Sequence, residues 1–109
     1  MASQYLYRLK PVRIAMLTQG LTEQEAAAVA DHFAYLERLT AQGRVLMAGR
    51  TQTADEHTFG IVVFVADSDE AAHDLMQGDP ALSRGVMTAE LFPFRIALWS
   101  TANPLDTPR

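Results

Sequence analysis

Residues Thr22–Gly43, TEQEAAAVADHFAYLERLTAQG, form the longest stretch of the chain with helical periodicity. Thr22, followed three residues later by Glu25, has the capping-box pattern of a helix start, and Gly43 is a typical helix stop. When each residue is set 100° on from the last, the apolar residues fall in one arc of roughly 120°. We expect this arc to face the core; its members are Val29, Phe33, Leu36 and Leu39.

His32 lies inside the same arc, three residues after Val29 and four before Leu36. A titratable side chain is therefore placed on the helix face that packs against the rest of the protein. Imidazole titrates near neutral pH and exchanges a proton at small cost, so His32 is the first candidate for a general acid or base. A core histidine held by one hydrogen bond is the alternative that the sequence leaves open.

Length and composition indicate a single soluble globular domain. We expect the domain to span residues 1–109, with its core at about 5–99 and a tail at 100–109. The chain is 49% hydrophobic and 20% charged, which is typical of globular proteins. It has no cysteine, and this excludes disulfides, a thiol nucleophile and a thiolate metal site.

The charge pattern and the lengths of the apolar runs argue against two kinds of partner. The net charge is −4 and the basic residues occur singly, so we expect no nucleic-acid binding. No apolar run approaches the ~20 residues of a membrane span, and the first ten residues lack the pattern of a signal peptide. The expectation is a cytoplasmic protein without membrane attachment.

Further strands and a second helix surround the first helix. The chain is predicted to contain a strand at Tyr5–Leu9, a strand at Arg44–Gly49, a strand at Thr58–Ala66, a helix at Asp69–Gln77 capped by Asp67 or Ser68, a turn at 79–85, and a long strand at Val86–Trp99 interrupted by Pro93. The strand Thr58–Ala66 is nearly all Ile, Val and Phe. This composition predicts a central strand that is covered on both faces.

The predicted order β-α-β-β-α-β is typical of a ferredoxin-like α+β fold, with two helices on one face of a four-stranded antiparallel sheet. Two helices cover one face only, whereas Thr58–Ala66 is apolar on both. A second copy of the chain is the simplest cover for the other face. We therefore expect a homodimer whose sheets meet face to face.

Several short segments follow one another in a characteristic order: HFAYLERL at 32–39, VLMAG at 45–49, FGIVV at 59–63, Gly78-Asp79-Pro80 followed by Gly85, and Pro93-Phe94. Together they resemble the YciI-like (YCII-related) domain family, over about residues 5–98. The resemblance implies a dimeric α/β-barrel type of ferredoxin-like fold with a pocket beside the sheet.

The resemblance also implies a His-Asp pair, which would be His32 and Asp79. Asp79 before Pro80 is by itself a natural helix N-cap. A cap leaves one carboxylate oxygen free, so Asp79 can cap the helix and orient His32 at the same time. If it has both roles, the side chains of Asp79 and His32 should lie about 3 Å apart or be bridged by water. Arg13 matches a basic position of many members, whereas Arg50 stands where proline is frequent, so the substrate class does not carry over.

Arg13 and Arg50 are the candidate substrate-binding residues because either guanidinium can hold a carboxylate or phenolate. Solvated surface arginines are the alternative for both. His57 and His73 are expected at the surface. No set of histidines and acids has the spacing of a metal site, so we expect neither a metal nor another cofactor.

These features favour a small homodimeric enzyme in which His32, oriented by Asp79, transfers a proton on a small anionic or aromatic compound. The reaction type implied by the resemblance is that of a lyase or dehydrochlorinase, or of an isomerase. Two alternatives stay open: a non-catalytic small-ligand-binding or accessory protein, and a purely structural dimerisation domain.

Overall fold

The computed structural model describes residues 2–102. Its elements are β1 (Ser3–Pro11), α1 (Ala15–Thr18), α2 (Glu23–Ala41), β2 (Val45–Arg50), β3 (Gly60–Ala66), α3 (Asp69–Gln77), α4 (Pro80–Ser83) and β4 (Met87–Pro93). The four strands form one antiparallel sheet in the order β2-β3-β1-β4. This confirms the predicted α+β class and the four-stranded antiparallel sheet. Most of the predicted tail at 100–109 lies outside the described residues.

Alternation along β1 gives the sheet two different faces. Tyr5, Tyr7 and Leu9 are buried in a core that both long helices cover. The helices contribute to this core with Leu36, Leu39, Ala72, Leu75 and Met76. On the opposite face, Leu6 pairs with Val63 and with Phe92 of the neighbouring strands.

Residues of β3 occupy the centre of the sheet, as predicted. The strand pairs with β2 on one side and with β1 on the other. Val62, Val63 and Phe64 are all buried, although Val63 points to the face opposite the helices. The prediction of a central strand is therefore confirmed.

The N-terminus of α2 carries the complete capping box. Thr22 Oγ1 accepts the N–H of Glu25 at 3.1 Å, and Glu25 Oε1 accepts the N–H of Thr22 at 2.9 Å. Two N–H groups that would otherwise lack a partner are satisfied in this way. At the other end, Gly43 has a φ of +75°, a backbone conformation that favours glycine.

The buried stripe of α2 differs from the predicted arc in one member. Ala28, Leu36 and Leu39 are buried and His32 is partly buried, but Phe33 is 66% exposed. The prediction that Phe33 faces the core was wrong. The stripe is centred on the His32 side of the helix, and Phe33 lies about 100° further round.

The last strand is shorter than predicted. β4 ends at Pro93, whereas the sequence predicted a strand up to Trp99. Proline has no N–H to continue the ladder, and beyond it the N–H of Ile96 donates to the side chain of Gln4 at 2.6 Å. The predicted turn at 79–85 also contains the short helix α4. Within residues 2–102 no helix is long and apolar enough to cross a bilayer.

Arg13 ties the segment after β1 to the start of α2. Its Nε donates to Glu25 Oε2 at 2.8 Å and its Nη2 to Glu25 Oε1 at 2.6 Å. The hydrogen bonds from Arg13, joined by the one from the N–H of Thr22, lower the pKa of Glu25 from 4.5 to about 2. The Glu25 carboxylate is therefore both a helix cap and one half of an ion pair.

Replacing Glu25 by Gln tests this pair through its pH dependence. The folded protein holds Glu25 ionised more strongly than the unfolded chain does, so the stabilisation is complete above pH 4.5 and disappears as the pH falls to about 2. We expect Glu25→Gln to be less stable than wild type at pH 7 and the difference to vanish near pH 2, as measured by urea unfolding. Glu23→Gln, at an exposed position of the same turn, is the control. An equal difference at pH 7 and pH 2 would contradict the role of the charge.

Candidate functional site

Asp79 lies between α3 and α4 and is completely buried. Its Oδ1 accepts the N–H of Ala81 at 2.9 Å, and Pro80 occupies the first position of α4. Asp79 is therefore the N-cap that its position before proline indicates. The cap uses only part of the carboxylate, which has about four acceptor sites.

His32 reaches the same carboxylate from the middle of α2. Its Nδ1 lies 2.7 Å from Oδ1 and 2.9 Å from Oδ2 of Asp79. An ionised carboxylate only accepts, so this contact selects the tautomer with the proton on Nδ1 and leaves a lone pair on Nε2. The structure thus brings together the two residues of the His-Asp pair, at the distance of a direct hydrogen bond.

The second ring nitrogen of His32 has no protein partner in the described part of the chain. Within residues 2–102, both hydrogen bonds of the ring involve Nδ1, and no side-chain nitrogen or oxygen there is both buried and unpaired. The side chain is 15% exposed. Nε2 is therefore the point at which a small molecule can meet the ring.

Tyr7 is a third member of the group, and the sequence analysis did not select it as a site residue. Its hydroxyl donates to Asp79 Oδ2 at 2.8 Å, and the residue is fully buried on β1. Burial, and then the charge of Asp79, raise the pKa of Tyr7 far above its usual range, so the hydroxyl stays a donor. A usable signal was present: the alternation of β1 buries Tyr7, and a buried tyrosine hydroxyl needs a partner.

Next to this carboxylate, a side chain of α2 reaches the end of α3. The hydroxyl of Tyr35, three residues after His32, donates to the carbonyl of Leu75 at 2.6 Å. A Cβ at position 78 would lie only 2.9 Å from that hydroxyl. Glycine at position 78, next to Asp79, therefore allows α2 to pack tightly against the end of α3.

The two predicted substrate-binding arginines lie in different places. Arg13, engaged with Glu25, lines an open cleft of about 510 Å³ at the start of α2. Arg50 lines a shallower hollow of about 290 Å³ at the end of β2, together with Met47, Phe59 and Ile61. His32 lines neither of them. The structure does not bring Arg13 and Arg50 into one cavity with His32.

Arg84 is a cation near His32 that the sequence analysis did not select. It lines the same cleft as Arg13, and its Nη2 lies 2.6 Å from Oδ2 of Asp31, the residue before His32. Both side chains are about half exposed, and such pairs contribute at most about 1 kcal/mol, so a ligand anion can replace Asp31. No local pattern marks Arg84, because its relation to His32 depends on how α4 packs on α2.

The remaining histidines are exposed, as expected. His73 lies on the outer side of α3. His57 forms an exposed group with Asp55 and Glu56 in the loop before β3, in which potential metal-binding atoms lie within 4.8 Å of one another. Nothing buried orients these three side chains, and we assign no metal site to them.

The fold of this chain is similar to that of two solved structures. The chain is similar in structure to the 5-chloro-2-hydroxyhydroquinone dehydrochlorinase TftG from Burkholderia phenoliruptrix AC1100 in complex with 2,5-dihydroxybenzoquinone: 21% identity and a TM-score of 0.62 over 84% of this chain and 93% of that chain. It is also similar to an uncharacterized protein from Thermotoga maritima: 12% identity and a TM-score of 0.55 over 87% of this chain and 100% of that chain.

These two structural likenesses concern the fold, since both identities are low. No curated protein sequence matches the chain. The family model of the YCII-related domain, in contrast, matches residues 9–95, most of the chain. The protein belongs to the YCII-related domain family.

Proposed function

We propose that this protein is a small-molecule enzyme in which Nε2 of His32 takes up and returns a proton. One observation carries the proposal: His32 is held at Nδ1 by the buried Asp79, while Nε2 forms no hydrogen bond within residues 2–102. A histidine that served packing alone would be expected to pair both ring nitrogens or to lie at the surface. A ring with one nitrogen anchored and the other accessible is suited to proton transfer.

Asp79 supports this chemistry without touching the substrate. Its carboxylate keeps the proton on Nδ1, so that Nε2 is the basic nitrogen, and it stabilises the imidazolium that forms when Nε2 gains a proton. The carboxylate is buried and also accepts a hydrogen bond from the N–H of Ala81. Its orientation is therefore fixed by the protein and does not change with the surrounding water. We assign Asp79 as the residue that orients His32.

The reaction that we favour is an elimination or an isomerisation. In an elimination from a chlorinated hydroquinone, the ring first converts to a keto tautomer in which the carbon that bears chlorine carries a proton. Nε2 then takes the proton of a second hydroxyl, and the electrons of that O–H bond form a new C=O. The ring π electrons shift as chloride leaves with the electrons of the C–Cl bond, so the net loss is HCl. In an isomerisation, the same proton returns to another atom of the substrate. The similarity of the fold to a dehydrochlorinase supports the elimination.

We expect the negative charge of the substrate to lie towards the cleft that Arg13 and Arg84 line. Arg13 is paired with the well-buried Glu25, whereas the pair of Arg84 with Asp31 is exposed and exchangeable. Arg84 therefore binds the anion directly, and Arg13 adds positive charge to the same wall. Asp31 directly precedes His32 on α2, so an anion that replaces Asp31 binds at the turn of the helix that carries the ring.

A binding or accessory protein is the second candidate, and the position of Arg50 favours it. Arg50 borders a hollow with Met47, Phe59 and Ile61, a set that suits an aromatic anion. His32 lines neither the hollow nor the cleft, but the cleft is linked to α2 through the pair of Arg84 with Asp31, the residue before His32, and the hollow has no such link. A molecule bound in the hollow would therefore undergo no proton transfer by His32.

The face of the sheet opposite the helices is the proposed dimer interface. We propose a ferredoxin-like fold in the dimeric α/β-barrel arrangement, and the antiparallel strand order β2-β3-β1-β4 supports this proposal. Met47 and Phe92 are 42% and 40% exposed on this face, beside Leu6 and Val63. An apolar face of this kind is covered most simply by a second copy.

Replacing His32 by Gln tests the catalytic role. With 5-chloro-2-hydroxyhydroquinone as trial substrate, we expect chloride release to fall about 10²–10⁴-fold, the usual contribution of a general acid or base. His73→Gln, at an exposed histidine of α3, is the control and is expected to keep the wild-type rate. Circular dichroism verifies that both variants fold. Full activity of His32→Gln would contradict the role of the ring, and no chloride release by wild type would contradict the dehydrochlorinase assignment.

Replacing Arg84 or Arg50 by Gln distinguishes the two candidate functions. We expect Arg84→Gln to weaken binding of 2,5-dihydroxybenzoquinone about tenfold or more, since a hydrogen bond to a charged group is lost. Arg50→Gln is expected to bind like wild type. Isothermal titration calorimetry measures both affinities. The reverse pattern would contradict the enzyme proposal and favour the binding protein.

Sedimentation velocity at micromolar concentration tests the proposed dimer, and we expect a species of twice the 12.0 kDa chain mass. Met47→Glu places a charge on the apolar sheet face and is expected to shift the protein towards monomer. Phe33→Glu, at the exposed position of α2, is the matched control and is expected to leave the dimer intact. A monomeric wild type would contradict the proposal.

A further inference from the structure

The Asp79 carboxylate is held by donors from three different elements. The hydroxyl of Tyr7 on β1 donates to Oδ2 at 2.8 Å, and the N–H of Ala81 on α4 donates to Oδ1 at 2.9 Å. The third contact is Nδ1 of His32 on α2, at 2.7 Å from Oδ1. Asp79 and Tyr7 are both completely buried. The orientation of the carboxylate is therefore decided by these donors and not by solvent.

We propose that Tyr7 is a positioning residue for His32: the buried tyrosine hydroxyl holds Asp79 in place, and the Asp79 carboxylate in turn orients the imidazole ring. Tyr7 acts on the ring through Asp79. The inference rests on the proposed function of His32 as the proton-transfer residue. It adds a third residue, 72 positions from Asp79 in sequence, to the machinery of the site.

The position of Tyr7 makes it a rigid support. The residue lies in the middle of β1, between Val62 of β3 and Leu91 of β4. Its ring packs edge-on against Phe64, with ring centres 5.7 Å apart and planes at 73°. A hydroxyl carried by a central strand and fixed by aromatic packing cannot follow a rotating carboxylate. The Asp79 Oδ2 atom is therefore tied to the sheet, while Oδ1 is tied to α4.

The Tyr7 hydroxyl is a fixed donor and not a proton carrier. Because burial and the charge of Asp79 raise its pKa far above the usual range, the phenol keeps its proton wherever the protein is folded. Donation to Oδ2 also draws negative charge away from the oxygens that face Nδ1. Removal of the hydroxyl has two consequences: the carboxylate gains freedom to rotate, and more of its charge faces the imidazole.

Tyr5 provides a matched control from the same strand. It lies two residues before Tyr7 on the same buried face, its ring centre is 5.8 Å from that of Phe64, and its hydroxyl donates to Asp69 Oδ1 at 2.7 Å. Both tyrosines thus join β1 to a carboxylate at the start of a helix. Within residues 2–102, however, no histidine forms a hydrogen bond or an ion pair with Asp69. Tyr5→Phe therefore removes the same kind of hydrogen bond without the link to His32.

Few other charged or titratable groups surround the His32 ring. Asp79 faces it from α4, and Tyr7 lies behind Asp79 on β1. Tyr35 lies three residues further along α2. Burial raises the pKa of Tyr35, and the nearby charge of Asp79 raises it further. The exposed Asp31–Arg84 pair lies one residue before His32. Tyr7→Phe removes one hydrogen bond to Asp79 and leaves the Asp31–Arg84 pair in place.

The test is an NMR titration of the His32 ring nitrogens in wild type, Tyr7→Phe and Tyr5→Phe. In wild type and Tyr5→Phe we expect the neutral ring to carry its proton on Nδ1 and to titrate at the same pH. In Tyr7→Phe the carboxylate favours the imidazolium more strongly, so the midpoint is expected to rise by about 0.5 pH unit or more. An unchanged midpoint and tautomer in Tyr7→Phe, or an equal change in Tyr5→Phe, would overturn the inference.

A measurement on wild type keeps the test valid if Tyr7→Phe does not fold. The buried hydroxyl proton of Tyr7 is expected to change its chemical shift as His32 titrates, because the two share Asp79. The hydroxyl proton of Tyr5 is expected to stay constant. If the chemical shift of the Tyr7 hydroxyl proton stays constant while His32 titrates, the inference is overturned.

The titration needs no substrate, so its outcome is independent of the proposed reaction. If Tyr7→Phe moves the His32 midpoint while His32→Gln keeps full activity, Tyr7 positions a ring that does not catalyse. If His32→Gln is inactive and the midpoint does not move in Tyr7→Phe, the catalytic proposal stands and the inference about Tyr7 fails.

Discussion

The arrangement of the site depends on one buried carboxylate. A carboxylate without contact to water is costly unless donors surround it, and Asp79 receives them from β1, α2 and the backbone of α4. These elements are distant in the chain, so their common acceptor also fixes how they meet. The same set of contacts that makes the burial of Asp79 possible holds the His32 ring in one orientation.

The packing around Asp79 shows how the fold makes room for a polar group in its core. His32 occupies a place on the inner side of α2 where leucine would pack well, and Gly78 lets the helix come close to the end of α3. The Tyr35 hydroxyl fills the remaining gap and donates to the Leu75 carbonyl. In the described part of the chain, every buried side-chain nitrogen or oxygen has a hydrogen-bond partner. Tight packing and full hydrogen bonding together favour a single position for the ring.

Two arginine–carboxylate ion pairs have different surroundings and different uses. Arg13 contacts Glu25 with two nitrogens, and the carboxylate is well buried and also caps α2. This pair fixes the entry of the chain into the helix. Arg84 contacts Asp31 with one nitrogen at the surface, where water competes for both charges. A cation is available to a ligand only in the second case, which is why residue type alone is a poor guide to substrate-binding arginines.

The sequence by itself determined the features that depend on neighbours along the chain. Hydrogen bonds and periodicities that span a few residues account for the capping box of α2, the stop at Gly43 and the central position of β3. For the cap of α3 they left Asp67 and Ser68 open, and the structure has Ser68. The place of His32 on the inner side of α2 also follows from the helical periodicity. Its pairing with Asp79, 47 residues away, came from the family resemblance and not from local pattern.

The tertiary structure alone decided the features that depend on how elements meet. The exposure of Phe33 follows from the rotation of α2 about its axis, and beyond Pro93 the N–H of Ile96 donates to the side chain of Gln4. The links of Tyr7 to Asp79 and of Arg84 to Asp31 join residues far apart in the chain. No local pattern specifies such contacts, because strand register and helix position, which bring the atoms together, are set by the packing of the whole core.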